Sequence, residues 1–365
     1  MILRIQAPFG HSSRPRYRVH MPDQPRRAPG RAWFAGVELE GVTDVIDVSD
    51  QPERLREPGW WVVVGEFDGR VRAFRFDEAT SVPEPAEHHP VAGTWRSSLG
   101  HDAYVEAVED VRARILEGDV YQANLCRVMS VDVPDEPDAR ALAGLLARGN
   151  PAPYAGGIQV DGAWVVCASP ELYLRIDGDV VTSAPIKGTA PTRAGLTGKD
   201  RAENVMITDL VRNDLQHVCE PGTVEVTTLL GVEEHPGLTH LVSTVQGRLV
   251  GASDADLWAR LLDATYPPGS VSGAPKSAAL RIIADLEPEA RGPYCGAFGW
   301  VHVDADGRTR AELAVAIRTF WWADGVLRFG TGAGITWGSE AEAEWAETQL
   351  KAARLVGLAS GTSGR

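Results

Sequence analysis

The sequence predicts an α+β chain in which antiparallel sheet is packed by long helices, and three observations lead there. Asp-Gly dipeptides at Asp68-Gly69, Asp161-Gly162, Asp177-Gly178 and Asp306-Gly307 stand between apolar runs, and turns of that type join adjacent antiparallel strands. Elsewhere, apolar residues at three- and four-residue steps mark long amphipathic helices. With 365 residues and 44% hydrophobic content, the chain can bury a substantial core, either as one large domain or as a catalytic domain with a smaller attachment.

Arg4, Arg14, Arg16, Arg18, Arg26 and Arg27 crowd the beginning, with Pro15, Pro22, Pro25 and Pro29 among them. The prolines would break an amphipathic transit helix, and no apolar stretch of a secretory signal is present, so an irregular basic leader is expected. Residues 32–76 read as strands, with 60–65 and 70–76 flanking the first Asp-Gly turn. Pro83, Pro85 and the mixed Glu and His around them interrupt the pattern, which makes 81–89 the candidate linker. The expected division is a short β-rich segment over residues 1–90 and a catalytic unit over 91–360. In the latter, Val105, Val108, Val111 and Ile115 give residues 102–117 an apolar helical stripe that Gly118 can end. A strand over 120–131 follows. Further helices are expected near 198–217, 254–264, 275–286 and 340–357, with Ser253 as an N-cap and Pro275 near a first turn.

The net charge of −14 argues against a nucleic-acid binder, because phosphate contacts need clustered Lys and Arg. An anionic substrate would need a local basic pocket. Cys126, Cys167, Cys219 and Cys295 form no CxxC pair, so buried thiols in a reducing compartment are expected rather than a zinc site or a disulfide framework. No segment approaches the roughly 20 apolar residues that span a bilayer, so no membrane association is expected and the cytoplasm is the default location.

Several polar residues stand where chemistry could use them. Ser169-Pro170-Glu171 follows one apolar strand and Pro185-Ile186-Lys187-Gly188-Thr189 another. Asp200 precedes Glu203 by three residues and Glu344 precedes Glu347 by three, so each acidic pair shares a helical face. Singly these are weak signals, since an isolated Glu or Lys is usually a solvated surface charge. Their order carries more. They run together with Gly118-Asp119-Val120-Tyr121-Gln122, Asp209-Leu210-Val211-Arg212-Asn213-Asp214 and Gly269-Ser270-Val271-Ser272-Gly273-Ala274-Pro275-Lys276. Tyr294-Cys295-Gly296, Ala316-Ile317-Arg318-Thr319, Gly332-Ala333-Gly334-Ile335 and Glu344-Trp345-Ala346-Glu347-Thr348 complete the series. The whole resembles the chorismate-utilising enzyme family over well over half of the chain.

The resemblance implies large antiparallel sheets packed as a central sandwich with helices outside, and a Mg²⁺ ion on the ring carboxylate of chorismate. Glu203 and Glu347 match its direct ligands, backed through water by Asp200 and Glu344, and such oxygen donors suit a hard cation. Glu171 matches a general acid that protonates the departing hydroxyl. Arg318, which can grip a carboxylate with two parallel hydrogen bonds, matches the anion site together with Tyr294, Gly332 and Gly334. Thr189 and His240 match further substrate positions.

Gln122 stands where water-using members carry a Lys as general base, which implies ammonia as the nucleophile. Lys187 stands where anthranilate synthases typically carry Ala and resembles the aminodeoxychorismate synthase branch. Amination at ring carbon 4, giving 4-amino-4-deoxychorismate toward para-aminobenzoate and folate, is what these residues imply. A desolvated Lys187 would act as nucleophile at ring carbon 2. No glycine-flanked nucleophile motif surrounds any cysteine, so a separate glutamine amidotransferase is implied as the ammonia source. Anthranilate synthase component I and a catalytically silent subunit of the same fold are the alternatives. Pro268 departs from the Gly of many relatives, and no Leu-Leu-Glu-Ser stretch of a tryptophan pocket is found, so insensitivity to tryptophan is expected.

Overall fold

The computed structural model describes residues 28–81, 87–190, 192–235 and 238–362. Residues 1–27 of the expected leader and 82–86 of the expected linker lie outside the described residues.

Among the described residues every strand pairing is antiparallel, and the strands form a continuous ribbon. One half runs Gln122–Asp132, Val326–Thr336, Thr319–Ala323, Ala163–Ser169, Tyr154–Val160 and Ala28–Phe34, each paired with the next. The other half runs Val37–Asp47, Val71–Ser81, Gly59–Gly65, Ala297–Val303, Thr309–Val315, Leu172–Asp177, Val180–Ala184, Leu238–Arg248 and Glu225–His235. The hairpin of Ala28–Phe34 with Val37–Asp47 joins the halves through Ala35 and Gly36, both at positive φ. Residues 28–81 are therefore hydrogen-bonded into the same sheets as the remainder of the chain.

The strand Ala163–Ser169 explains how core forms on both sides of the sheet. Val165 and Cys167 belong to an apolar cluster shared by the two halves, with Val63, Phe74, Leu174 and Val301. Trp164, Val166 and Ala168 belong to a second cluster, with Leu142 and Leu146 of the helix Ala139–Gly149 and Leu355 of the helix Ala341–Ala359. A strand covered on both faces must be apolar at every position, so its sequence reads as a run rather than an alternation. A third cluster sets Tyr104, Val108 and Val111 of His101–Glu117 and Ala279 and Ile282 of Lys276–Leu286 against Leu125, Ala333 and Ile335. The helix Gly198–Gln216 adds Ile207, Val211 and Leu215 to the shared cluster.

The expected turns at Gly162, Gly178 and Gly307 are present at positive φ, and Gly118 ends its helix in the left-handed conformation at φ +87°. All four cysteines are free and buried. One cap differs from expectation. The helix expected over 254–264 starts later, as Leu257–Thr265, so Ser253 is not its N-cap. Asp256 holds that position without a capping bond because its carboxylate accepts from Arg260 Nε at 3.0 Å. The helix Ala139–Gly149 is absent from the predicted set; Asp138 caps it by accepting from the backbone N–H of Arg140 and Ala141. Among the described residues no helix is long and apolar enough to cross a membrane.

Trp164 is fully buried and its indole N–H has no partner among the described residues. Trp164→Ala is expected to lower the unfolding free energy measured in urea by about 3–5 kcal/mol. Trp164→Phe is expected to cost markedly less, because no hydrogen bond is lost with the indole.

Candidate active site

Strand pairing positions the first group of polar side chains. Gln122 opens the strand Gln122–Asp132, where it pairs with Thr336 on one side and Ala274 on the other. Its side chain is buried and its amide oxygen Oε1 has no partner among the described residues. Gly330, Gly332 and Gly334 lie along the neighbouring strand Val326–Thr336. A Cβ at Gly330 would stand 2.0 Å from the Tyr294 ring, at Gly332 2.4 Å from Cys126 Sγ, and at Gly334 2.3 Å from Gln122 Nε2. Any side chain there would displace Tyr294, Cys126 or Gln122, so these glycines are required by the close approach of protein neighbours.

Tyr294 is buried, and the next residue, Cys295, adopts φ +63°, as Arg318 does at φ +52°. Left-handed backbone at a non-glycine residue costs roughly 1 kcal/mol or more, so surrounding bonds must hold it. Cys295 N donates to Ala316 O at 3.0 Å, and Ala168 N donates to Arg318 O at 3.2 Å. The Arg318 guanidinium is partly withdrawn from water; burial, and then Arg354, push its pKa down. Among the described residues no carboxylate pairs with it, so an incoming anion would relieve its desolvation.

Glu171 sits at the reversal between Ala163–Ser169 and Leu172–Asp177, held by its backbone. Its N–H donates to Ser169 Oγ at 3.1 Å, and its carbonyl accepts from Val315 N at 3.0 Å. Its side chain is buried, with Oε1 unpartnered among the described residues. Burial raises its pKa, against the opposing effects of a Ser270 hydrogen bond and the Lys187 charge. Glu171, Tyr173, Asp214, Thr265 and Ser270 help line a small pocket.

Lys187 lies on Ile186–Ala190, which bulges away from Leu238–Arg248 between the pairs Ile186–Val242 and Thr189–His240. Gly188 makes the bulge at φ +86°, and a Cβ there would collide with Asp200 Cβ at 2.7 Å. Lys187 is half-buried rather than fully desolvated as expected, and its charge acts on both Glu171 and Glu203. His240 is buried. The Thr189 side chain lies outside the described residues, although its backbone pairs with His240.

The acidic residues come from two helices. Asp200 completes a capping box at the start of Gly198–Gln216, its Oδ2 accepting from Thr197 N at 2.7 Å and Thr197 Oγ1 at 2.6 Å. Burial raises the Glu203 pKa; Glu344 and Asp200 add to the rise, while Lys187 and Lys199 oppose it. Lys199 Nζ stands 3.9 Å from Glu203 Oε1 and 3.5 Å from the buried Glu344 Oε1. Glu347 is half-exposed, 2.6 Å from Lys351 Nζ, which also donates to Gly332 O at 3.1 Å. Among the described residues no three carboxylate, imidazole or thiol groups converge on one point. Lys199 and Lys351 are absent from the set predicted above. Each stands four residues from a Glu of that set, a spacing at which helical side chains meet.

Known proteins share this organisation. The sequence profile of the chorismate binding enzyme family matches residues 66–357. Aminodeoxychorismate synthase component 1 of Klebsiella aerogenes is 36% identical over 318 residues, which are 81% of this chain and 68% of that one. Anthranilate synthase component 1 of Streptomyces coelicolor is 39% identical, covering 74% of this chain and 54% of that one. That of Saccharolobus solfataricus is 38% identical, covering 70% and 61%. The chain thus spans between about half and two thirds of the length of these relatives. Among solved structures, anthranilate synthase component I from Streptococcus pneumoniae superposes with a TM-score of 0.73 at 24% identity, over 93% of this chain and 94% of that one. The menaquinone-specific isochorismate synthase from Escherichia coli gives 0.76 at 20% identity, over 92% and 89%. These two likenesses establish the fold, which is the antiparallel α+β architecture the sequence predicts. The profile match and the relatives above 30% identity go further: the chain belongs to the chorismate binding enzyme family, whose members use chorismate.

Proposed function

We propose that the chain catalyses magnesium-dependent amination of chorismate by ammonia to 4-amino-4-deoxychorismate. The observation that carries the reading is Lys187, whose charge reaches the carboxylates of both Glu171 and Glu203. Chorismate has two carboxylates and a hydroxyl that departs poorly, so its enzyme must hold anions, withdraw electrons and protonate an oxygen. Arg318, desolvated and without a carboxylate partner among the described residues, supplies a grip for one anion. Glu171, its pKa raised by burial, keeps a proton for the departing oxygen. Lys187, once its ammonium has released a proton to water, forms a bond to ring carbon 2 while the ring double bond shifts. The bond from carbon 4 to oxygen breaks, and the hydroxyl leaves as water with the Glu171 proton. Ammonia then adds at carbon 4, the bond from carbon 2 to Lys187 breaks, and the lysine is released. Gln122 offers a buried, unpartnered amide oxygen that can accept from N–H and cannot act as a base, which suits ammonia rather than water.

The acidic set fits magnesium by its donor chemistry. Glu203, Glu344 and Asp200 are oxygen donors, and the latter two raise the proton affinity of Glu203, the electrostatic situation a hard divalent cation relieves. Glu203 and Glu347 would hold the ion directly, with Asp200 and Glu344 behind them through water. When bound, it would supply Lewis-acid withdrawal from the ring carboxylate. Ammonia would come from a separate glutamine amidotransferase, a reading supported by relatives named as component 1. The relatives named anthranilate synthase, at 39% and 38% identity, favour a second reading in which pyruvate is eliminated and anthranilate formed.

Purified chain incubated with chorismate, MgCl₂ and an ammonium salt is expected to give aminodeoxychorismate by mass-resolved product analysis; anthranilate would establish the second reading instead. Lys187→Ala is expected to reduce ammonia-dependent turnover by about 100-fold or more, the scale of losing a positioned catalytic group, or to divert product to anthranilate. Unchanged rate and product would remove Lys187 from the mechanism. Glu171 works in its protonated form, so activity is full below its pKa and lost as pH rises through it. The Ser270 bond lowers that pKa, so Ser270→Ala should move the alkaline limb of the kcat/KM profile to higher pH.

A further inference from the structure

We propose that Lys351 is a displaceable counter-ion: it neutralises Glu347 in the metal-free enzyme and gives up that carboxylate when a divalent cation binds, keeping its bond to the Gly332 carbonyl. The inference rests on the magnesium reading above and concerns this chain's own lysine. Lys351 Nζ stands 2.6 Å from Glu347 Oε1 and 3.1 Å from Gly332 O, so one ammonium bridges a helix and the glycine-bearing strand. Lys199 stands likewise between Glu203 and Glu344. These two ammoniums occupy the oxygens that a cation would need, and among the described residues no three candidate donors converge.

A carboxylate oxygen in close contact with an ammonium cannot also coordinate a divalent cation without setting two positive charges side by side. Exchange is the remaining course. The two ion pairs differ in how easily they exchange. Glu344 is buried, and burial strengthens its hold on Lys199, whereas Glu347 and Lys351 are each half-exposed. Water screens such an exposed pair and leaves it a small net energy, so a cation can replace the ammonium at little cost. The second bond, to Gly332 O, keeps Lys351 docked on the strand Val326–Thr336 after the exchange, so the freed ammonium stays at the rim of the site.

The test uses the intact wild-type chain and MgCl₂ alone. Amine acylation is followed by peptide mass spectrometry with and without MgCl₂ at matched ionic strength, while calorimetry records whether the cation binds. Labelling of Lys351 is expected to accelerate severalfold as Mg²⁺ saturates. In parallel, Lys351→Met is expected to bind Mg²⁺ about two- to fivefold more tightly, the range set by the modest energy of an exposed ion pair. Arg354→Met, which removes a charge from the same helix one turn along, should gain distinctly less, which separates exchange from general repulsion. Binding of Mg²⁺ with unchanged Lys351 labelling, or an equal gain in both variants, overturns the exchange and leaves the magnesium reading standing. Absence of Mg²⁺ binding overturns both.

Discussion

The uninterrupted pairing of Gln122–Asp132 with Val326–Thr336 is the constraint on which the site depends. Its register runs from Asp132 opposite Val326 to Gln122 opposite Thr336 without a shift. That register sets Gln122 beside Gly334 and Cys126 beside Gly332, and a slip of one residue would turn the glycine edge to the other face. Two buried arginines hold the strand in place. Arg291 donates to Asn124 O at 2.6 Å and Val271 O at 2.9 Å and pairs with Glu287, whose Oε1 accepts from Cys126 N at 2.8 Å. Arg127 donates to Thr348 Oγ1 and Gln349 Oε1 and lies 4.5 Å from the Trp345 ring, fastening the strand to the helix that carries Glu344 and Glu347. Removing one partner of the buried Arg291–Glu287 pair costs about 3–5 kcal/mol, so that contact fixes position as well as stability.

The chain is strongly acidic overall, yet its candidate site is locally balanced. Lys187, Lys199 and Lys351 stand against Glu171, Glu203, Glu344 and Glu347, and Arg318 lies apart from every carboxylate among the described residues. Net charge is a property of the surface and says little about a cleft in which a few desolvated groups interact at short range. In the proposed reading, Arg318 would supply the local positive charge that an anionic substrate needs. Burial acts on the two proposed roles in the same direction. It raises the proton affinity of Glu171, as an acid requires, and that of Glu203, which a divalent cation would reverse.

The amino-acid sequence by itself determined what depends on neighbours in the chain. Gly162, Gly178 and Gly307 make the expected hairpins because positive φ is a local demand that glycine meets. The stripe through Val108 and Val111 makes the expected helix because its period is local too. The set of acidic and basic residue types was legible for the same reason, as an ordered series of motifs. The helix Ala139–Gly149 escaped because its apolar face serves a sheet surface that no local signal announces. Ser253 is not the cap because the helix begins later, at Leu257, with Asp256 at the N-cap position. Tertiary structure alone decided that Lys199, besides its local partner Glu203, meets Glu344. Lys199 and Glu344 are 145 residues apart, and they meet because two helices are held on strands whose register is fixed far from either. A local pattern can name the charges, but pairing across that separation is set by sheet register and helix packing.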